Sequence, residues 1–221
     1  MKKMVICIMT IVLCLLSIPN YASEASEKPS FEELFKQSMA KLQNDSTPDR
    51  LFKCMAELRR IHTMYPENWI VFYSISLFEI QQSFQNLSGN NEVLLDDAKK
   101  NIDQLKQMKN ADNSEIYTLE GYYYYALIAQ NPGSNGAIYY KNVFESYQKG
   151  LKYNPENPRA LLLLLIFKIS MARFTGKEEE NICGQLAEID KLFKKELDET
   201  TLKPSWGESI LKSMMADNCT K

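Results

Sequence analysis

The feature that most limits the fold of this chain is a short hinge sequence that occurs twice. Each copy combines a proline with glutamate and asparagine, as Tyr65-Pro66-Glu67-Asn68 and as Tyr153-Asn154-Pro155-Glu156-Asn157. Proline cannot continue a preceding helix, and asparagine is a favoured residue at the start of the next helix. An apolar run follows each hinge, from Trp69 and from Pro158. The hinges therefore predict helices that are joined by sharp corners.

Amphipathic helices are predicted on both sides of these hinges. Apolar side chains recur at three- to four-residue spacing from Leu51 to Tyr65, and a weaker hinge without proline lies at 110–115. The chain has only eight glycines and eight prolines, a composition that favours helices over a strand-rich fold. We therefore predict an all-α fold with a loop at 131–136. The predicted helices are 30–43, 48–64, 68–86, 91–109, 114–130, 137–153, 158–174, 177–197 and 205–217.

The spacing of residues around the hinges resembles the tetratricopeptide repeat (TPR). A small residue is followed by a large apolar residue four positions later and by a proline eight positions after that. The matching residues are Cys54, Leu58 and Pro66 in one unit, Val143, Tyr147, Gly150 and Pro155 in another, and Tyr117, Gly121 and Tyr124 in a first helix between them.

This resemblance covers about residues 48 to 175 and implies an antiparallel α-hairpin array, a TPR-like solenoid. In such an array Gly121, which has no Cβ, lets two helices approach closely, and Tyr124 packs in the core. We assign 48–200 to the repeat domain and 201–221 to a C-terminal capping helix and tail, because a terminal repeat otherwise exposes its apolar face. The connections at 86–91 and 131–136 are predicted to be longer than the tight turns of the family.

The N-terminal residues have the pattern of a secretory signal peptide. Lys2 and Lys3 precede an uncharged, mostly apolar run from Met4 to Ile18, and small residues follow at 22, 23 and 25. This run of fifteen residues is shorter than the roughly 20 that span a bilayer. We predict a signal peptide at 1–25, an N-terminal helix and linker at 26–47, and no membrane span after cleavage. The protein is then exported, to the periplasm or as a secreted protein.

The remaining side chains offer little for catalysis. The chain has one histidine, His62, and no Gly-x-Ser-x-Gly elbow, phosphate loop or Cys-x-x-Cys pair. The formal charge of −2 gives no basic excess for nucleic acid. Loss of the signal peptide would leave three cysteines, so that a disulfide between Cys183 and Cys219 stays an open question. We expect no enzyme activity, no metal site and no cofactor.

A run of four tyrosines, from Tyr122 to Tyr125, is the most unusual feature of the sequence. On a helix Tyr122 and Tyr125 are neighbours, and the repeat alignment places both on the inner face of the array. In the TPR family this concave face grips an extended peptide or a helix. The resemblance thus implies an adaptor that binds another protein or peptide non-covalently. The expected partner-binding residues are Tyr73, Gln81, Tyr122, Tyr125 and Arg159, with Ser170 facing the same groove.

Several alternatives stay open at the level of sequence. The two tyrosine rings can simply pack inside the fold, and the apolar groove can be filled by a partner or by the C-terminal helix. A second hypothesis is a structural envelope subunit that forms a homo-oligomer through residues 206–215. A third is an enzyme or small-molecule binder with a pocket between helices.

Overall fold

The computed structural model of the chain describes residues 29–44, 48–85, 90–176, 179–196 and 202–219. Within these residues there are nine α-helices and no strands, so that the predicted all-α class is confirmed. The predicted signal peptide lies outside the described residues. The helices are α1 (Phe31–Asn44), α2 (Pro48–Met64), α3 (Trp69–Gln85), α4 (Asn91–Leu105), α5 (Asn113–Gln130), α6 (Pro132–Tyr153), α7 (Pro158–Thr175), α8 (Ile182–Glu196) and α9 (Glu208–Cys219).

Consecutive helices pack as antiparallel hairpins, which is the predicted architecture. Helix α1 pairs with α2, α3 with α4, α5 with α6 and α7 with α8. The first helices of neighbouring hairpins also contact each other, α3 with α5 and α5 with α7. Helices α3, α5 and α7 therefore form an inner layer, and their partners form an outer layer. Among the described helices, none is long and apolar enough to cross a bilayer.

The two proline hinges form corners of the same geometry. The Asn68 backbone N–H donates to the Tyr65 carbonyl at 3.2 Å, and the Asn157 N–H donates to the Asn154 carbonyl at 3.1 Å. The Asn157 side chain then caps α7 by accepting two first-turn N–H groups at 3.0 and 3.1 Å. At the hinge without proline, Asp112 caps α5 in the same way. The corners expected from sequence are confirmed.

Two features of the α5–α6 hairpin differ from expectation. The predicted loop at 131–136 is wrong, because Asn131 ends α5 and also caps α6, and Pro132 occupies the first turn of α6, where its missing N–H costs no hydrogen bond. The connection is therefore a tight turn. Tyr124 was expected in the core but is only half-buried between the rings of Tyr123 and Tyr139, whereas Tyr123 is buried.

The C-terminal helix covers a second, smaller core, which confirms the predicted cap. Leu211 of α9 is fully buried there, and Ile210, Met214 and Met215 pack against the same cluster. A disulfide joins Cys183 at the start of α8 to Cys219 at the end of α9, with the Cα atoms 5.6 Å apart. The other buried members of this core are Leu162, Leu165, Ile169, Leu186, Ile189 and Phe193.

Close packing within the α5–α6 hairpin depends on Gly121, as the sequence predicts. A Cβ atom at this position would overlap the ring of Tyr147, which is fully buried. We expect Gly121→Ala to destabilise the protein by about 1–3 kcal/mol, because a buried ring cannot move aside without disturbing its neighbours. Urea unfolding followed by circular dichroism measures this change.

Gly136 in α6 is the matched control, since a Cβ there would meet nothing within 4 Å. Gly136→Ala should be neutral or stabilising by up to about 1 kcal/mol, because alanine restricts the unfolded chain. Equal destabilisation by the two substitutions would contradict the proposed role of Gly121.

Glu79 is a buried carboxyl group in α3 whose charge is poorly accommodated. It is 1% exposed, accepts hydrogen bonds from Arg59 at 2.9 Å and Asn101 at 3.2 Å, and lies near Asp97. Burial raises the pKa of Glu79 to about 7, and Arg59 offsets only part of this effect. The folded state therefore binds a proton more tightly at this position than the unfolded chain does.

This raised pKa predicts a pH-dependent stability. The stabilisation by protonated Glu79 is complete below about pH 4.5 and is lost as the pH rises through about 7. Glu79→Gln does not titrate, so its stability relative to the parent protein should rise across this window by on the order of 1–3 kcal/mol. Urea unfolding at pH 4.5, 6 and 8 tests this. Glu145→Gln, an exposed glutamate in α6, should leave the profile unchanged.

Candidate functional site

A described segment just before α9, residues 202–207, lies across the inner layer of the array. We call this segment the strap. Leu202 and Trp206 pack against the main core, and Pro204 is buried. At the end of the strap, Gly207 has φ +105°, a left-handed conformation that few other residues adopt, and the chain turns there into α9. Helix α9 therefore begins at Glu208, three residues later than predicted.

Trp206 holds the strap through two kinds of contact. Its ring stacks on Tyr122 with the centroids 5.6 Å apart, and Tyr122 stacks in turn on Phe84 at 5.2 Å. Its indole Nε1–H donates to the Tyr73 hydroxyl at 2.8 Å. Trp69 packs edge-on against the ring of Tyr73, with the centroids 5.7 Å apart. The strap is thus bound to the inner layer by an aromatic ladder.

A groove of about 860 Å³ lies between α1, α3 and the C-terminal segment. This volume is in the range of about 300–1,000 Å³ that is usual for small-molecule sites. The polar groups along it include Ser74 and Gln81. Its charged lining residues are Lys36, which pairs with Glu32, Lys203, and Glu208, which pairs with Lys212. Its apolar lining is contributed by Phe35, Met39, Ile70, Leu77, Phe78, Leu202 and Trp206.

A buried ionic cluster lies behind the groove wall. Arg159 is 2% exposed and donates to Glu115 from Nε at 3.0 Å and from Nη2 at 2.8 Å. The same guanidinium donates to Glu196 of α8 at 2.8 and 2.9 Å. Asn157 and the Tyr73 hydroxyl also donate to Glu115, at 2.8 and 2.9 Å. One cluster therefore connects α3, α5, α7 and α8.

Burial and charge fix the protonation states in this cluster. Burial by itself lowers the pKa of Arg159, but the carboxylate of Glu115 more than compensates and raises that pKa above its ordinary value. Burial, followed by the negative charge of Glu115, raises the pKa of Tyr73 well above 10. Tyr73 is therefore a neutral phenol that donates to Glu115 while it accepts from Trp206. Its hydroxyl is fully engaged within the protein.

The structure places the predicted partner-binding residues in different surroundings. Tyr73 and Gln81 line the groove. Tyr122, 9% exposed, lies beneath Trp206, and Arg159 is buried in the ionic cluster. Tyr125 is half-buried on the inner layer, where its hydroxyl lies 3.1 Å from that of Ser170. With the strap in place, Tyr122 and Arg159 contact the chain itself, and the strap covers part of the predicted concave surface.

Several residues of the site were not predicted from the sequence. Trp206 was interpreted as the start of the capping helix, although a tryptophan side chain buries a large area and its N–H needs a partner when it is buried. Glu115 was not singled out, although it is an acidic residue followed by apolar residues in the first turn of α5. The contributions of Phe35 and Met39 were missed because α1 lies outside the repeat alignment.

His62, candidate metal ligands and the segment proposed for self-association are the remaining features to locate. The ring of His62 lies 3.8 Å from that of Phe72, and burial lowers the pKa of His62; it is not among the groove residues. Within the described residues, no group of three or more His, Cys, Asp or Glu side chains could hold a metal ion. In the segment proposed for self-association, Trp206 packs on the main core and Leu211 on the second core.

Comparisons with known proteins identify a similar fold. No protein-family model matches the chain, and no curated protein matches it. The HusA haemophore from Porphyromonas gingivalis is similar in structure, with a TM-score of 0.77 at 19% sequence identity. The match covers 88% of this chain and 96% of that protein. At this identity the likeness shows that the two chains share an all-helical fold.

The ionic cluster predicts a large effect of removing its cation. Arg159→Leu leaves the carboxylate of Glu115 buried without a counter-charge, so that we expect a loss of about 3–5 kcal/mol in the free energy of unfolding. Adding Glu115→Gln to this variant should restore part of the loss, which a double-mutant cycle in urea measures. Lys191→Leu, which removes an exposed ion pair with Glu188, should change stability little. Similar effects of the two single substitutions would contradict this role.

Proposed function

We propose that this chain is a non-catalytic binding protein that holds a flat, mostly apolar, acidic ligand of the porphyrin class in the groove. The observation that carries the proposal is the 860 Å³ groove with its apolar and aromatic lining and its two lysines. The likeness to a haemophore, a protein that binds haem, supports the same ligand class. The proposal needs no catalytic residue and no resident cofactor.

The lining matches the chemistry of such a ligand. A flat macrocycle buries two apolar faces, and each square ångström removed from water contributes about 25 cal/mol. Phe35, Leu77 and Trp206 supply apolar and aromatic surface for these faces. The ammonium group of Lys36, which pairs with Glu32, and that of Lys203 lie where an exchange of partners would bring them to carboxylates at the edge of the ligand. The groove thus combines an apolar wall with cations that would orient the ligand.

The proposed binding depends on the macrocycle more than on iron. The only histidine of the chain, His62, is not a groove residue. The Tyr73 hydroxyl is already bonded to Glu115 and Trp206. Met39 contributes a thioether to the lining, a soft and weak ligand by itself. We therefore infer that haem and metal-free protoporphyrin IX bind with similar affinity.

Absorption and fluorescence titrations with haem and protoporphyrin IX test this proposal. Both should bind with dissociation constants within about tenfold of each other, because the described residues of the lining include no histidine or cysteine to bind iron strongly. Ala40→Trp, which places a large ring in the groove from an exposed position in α1, should weaken binding at least about tenfold. Ala187→Trp on the exposed face of α8 is the matched control.

The lysines have their own test. Lys36→Ala together with Lys203→Ala should weaken protoporphyrin IX binding by about three- to tenfold, since exposed ion pairs are worth little each. The same two substitutions should not change the affinity for protoporphyrin IX dimethyl ester, which lacks the two carboxylate charges. Lys141→Ala with Lys191→Ala, two exposed lysines away from the groove, is the control. Failure of both porphyrins to bind the parent protein would refute the proposed function.

A second candidate is a TPR-like adaptor that binds a polypeptide on the inner layer. It is favoured by the strap itself, since an extended stretch of chain already lies across that surface. The spacing at the hinges and the close approach at Gly121 also support a tetratricopeptide-like array. Under this hypothesis Tyr125 and Gln81 face the partner. Tyr125→Ala should then weaken capture of a polypeptide while porphyrin binding stays unchanged.

Export is part of the proposal. The apolar run after Lys2 and Lys3 supports a signal peptide, and the Cys183–Cys219 disulfide is the kind of bond that persists in oxidising compartments. A periplasmic or secreted location would bring the groove into contact with ligands from outside the cell.

A further inference from the structure

We propose that the Cys183–Cys219 disulfide is a latch that holds the strap against the array, and that its reduction by a dithiol loosens the groove. The disulfide would then control how firmly the groove is closed. The effect on ligand release rests on the proposed function, whereas the effect on amide exchange does not. The latch and the proposed function can therefore fail separately.

The disulfide closes a loop that contains the strap. It joins the start of α8 to the end of α9, two cysteines separated by 36 positions, and the strap lies inside the loop that it closes. Closing a loop in this way removes conformations from the open chain and so favours the folded arrangement. The latch therefore acts on both ends of the segment that contains the strap.

Helix α9 is expected to be only weakly held when the disulfide is absent. This helix has 12 residues, and an isolated helix of that length is marginal in water. Within it, Leu211 is the buried residue, and Ile210, Met214 and Met215 are only partly covered. Its attachment to α8 through this small core is therefore modest. The covalent bond at Cys219 secures the far end of the helix.

The shape of the groove depends on residues 202–210. Roughly half of the lining residues of the groove belong to 202–210, and the other wall comes from α1 and α3. Because the contacts of Trp206 with Tyr73 and Tyr122 do not involve the disulfide, we expect reduction to loosen the strap without unfolding the array. Neither Cys183 nor Cys219 belongs to the main core, which includes residues of α3 and α5. The expected change is confined to the C-terminal segment.

The redox step involves the disulfide and one external dithiol. A dithiol such as dithiothreitol attacks the S–S bond, yields two thiols at Cys183 and Cys219, and is itself oxidised to a cyclic disulfide. Cys183 is exposed and can be reached. Cys54, by contrast, is buried, and burial raises the pKa of its thiol to about 11. Cys54 is therefore a poor nucleophile for exchange with the latch.

Hydrogen exchange read by mass spectrometry tests the latch without any ligand. Dithiothreitol, or Cys183→Ser with Cys219→Ser, should speed amide exchange in 208–219 and in the strap by about tenfold or more, while α3 and α5 stay unchanged. Cys54→Ser is the matched control and should respond to dithiothreitol as the parent protein does. Unchanged exchange in the strap and α9 after reduction would overturn the latch.

Release of protoporphyrin IX from the full chain provides the second readout. Reduction should raise its dissociation rate by about tenfold, because one wall of the groove is loosened. Faster exchange with no porphyrin binding in either state would support the latch and refute the proposed ligand. Porphyrin binding with unchanged exchange and release would support the ligand and refute the latch.

Discussion

The pairing of Arg159 with Glu115 is the interaction on which the site depends. A charge with this little exposure is stable only when its partner and its hydrogen bonds are in place. Glu115 accepts from Arg159, Tyr73 and Asn157, and Arg159 reaches onward to Glu196. Because these residues come from four helices, the cluster fixes the separation of α3, α5, α7 and α8. The position of Tyr73, and through it that of Trp206, follows from this arrangement.

The groove is a consequence of the way in which the array covers its inner layer. Helix α3 is buried over most of its length, so that its inner side needs a cover other than water. The strap supplies that cover over Tyr73 and Tyr122, but α1 and the strap leave a space between them. Apolar side chains of α1 and α3 line one side of this space, and apolar side chains of the strap line the other. The groove is therefore built from the helical array and a non-repeat segment together.

The corners and helices could be predicted from sequence because their causes are local. Asn157 caps the helix that begins next to it, and Gly121 makes room for a ring in the adjacent helix of the same hairpin. The turn at Asn131 was misinterpreted because asparagine, proline and glycine are frequent both in loops and at helix starts. Trp206 was missed for another reason: its hydrogen-bond partner, Tyr73, lies 133 positions away. Periodicity carries no information about such a contact.

The two tryptophans of the chain contact one side chain, since Trp69 packs against the ring of Tyr73 and Trp206 donates to its hydroxyl. Indole emission shifts with the polarity and hydrogen bonding around the ring. All of the protein's intrinsic tryptophan fluorescence therefore originates beside the groove. A ligand that bound in the groove would therefore be expected to change the tryptophan emission of the unlabelled protein.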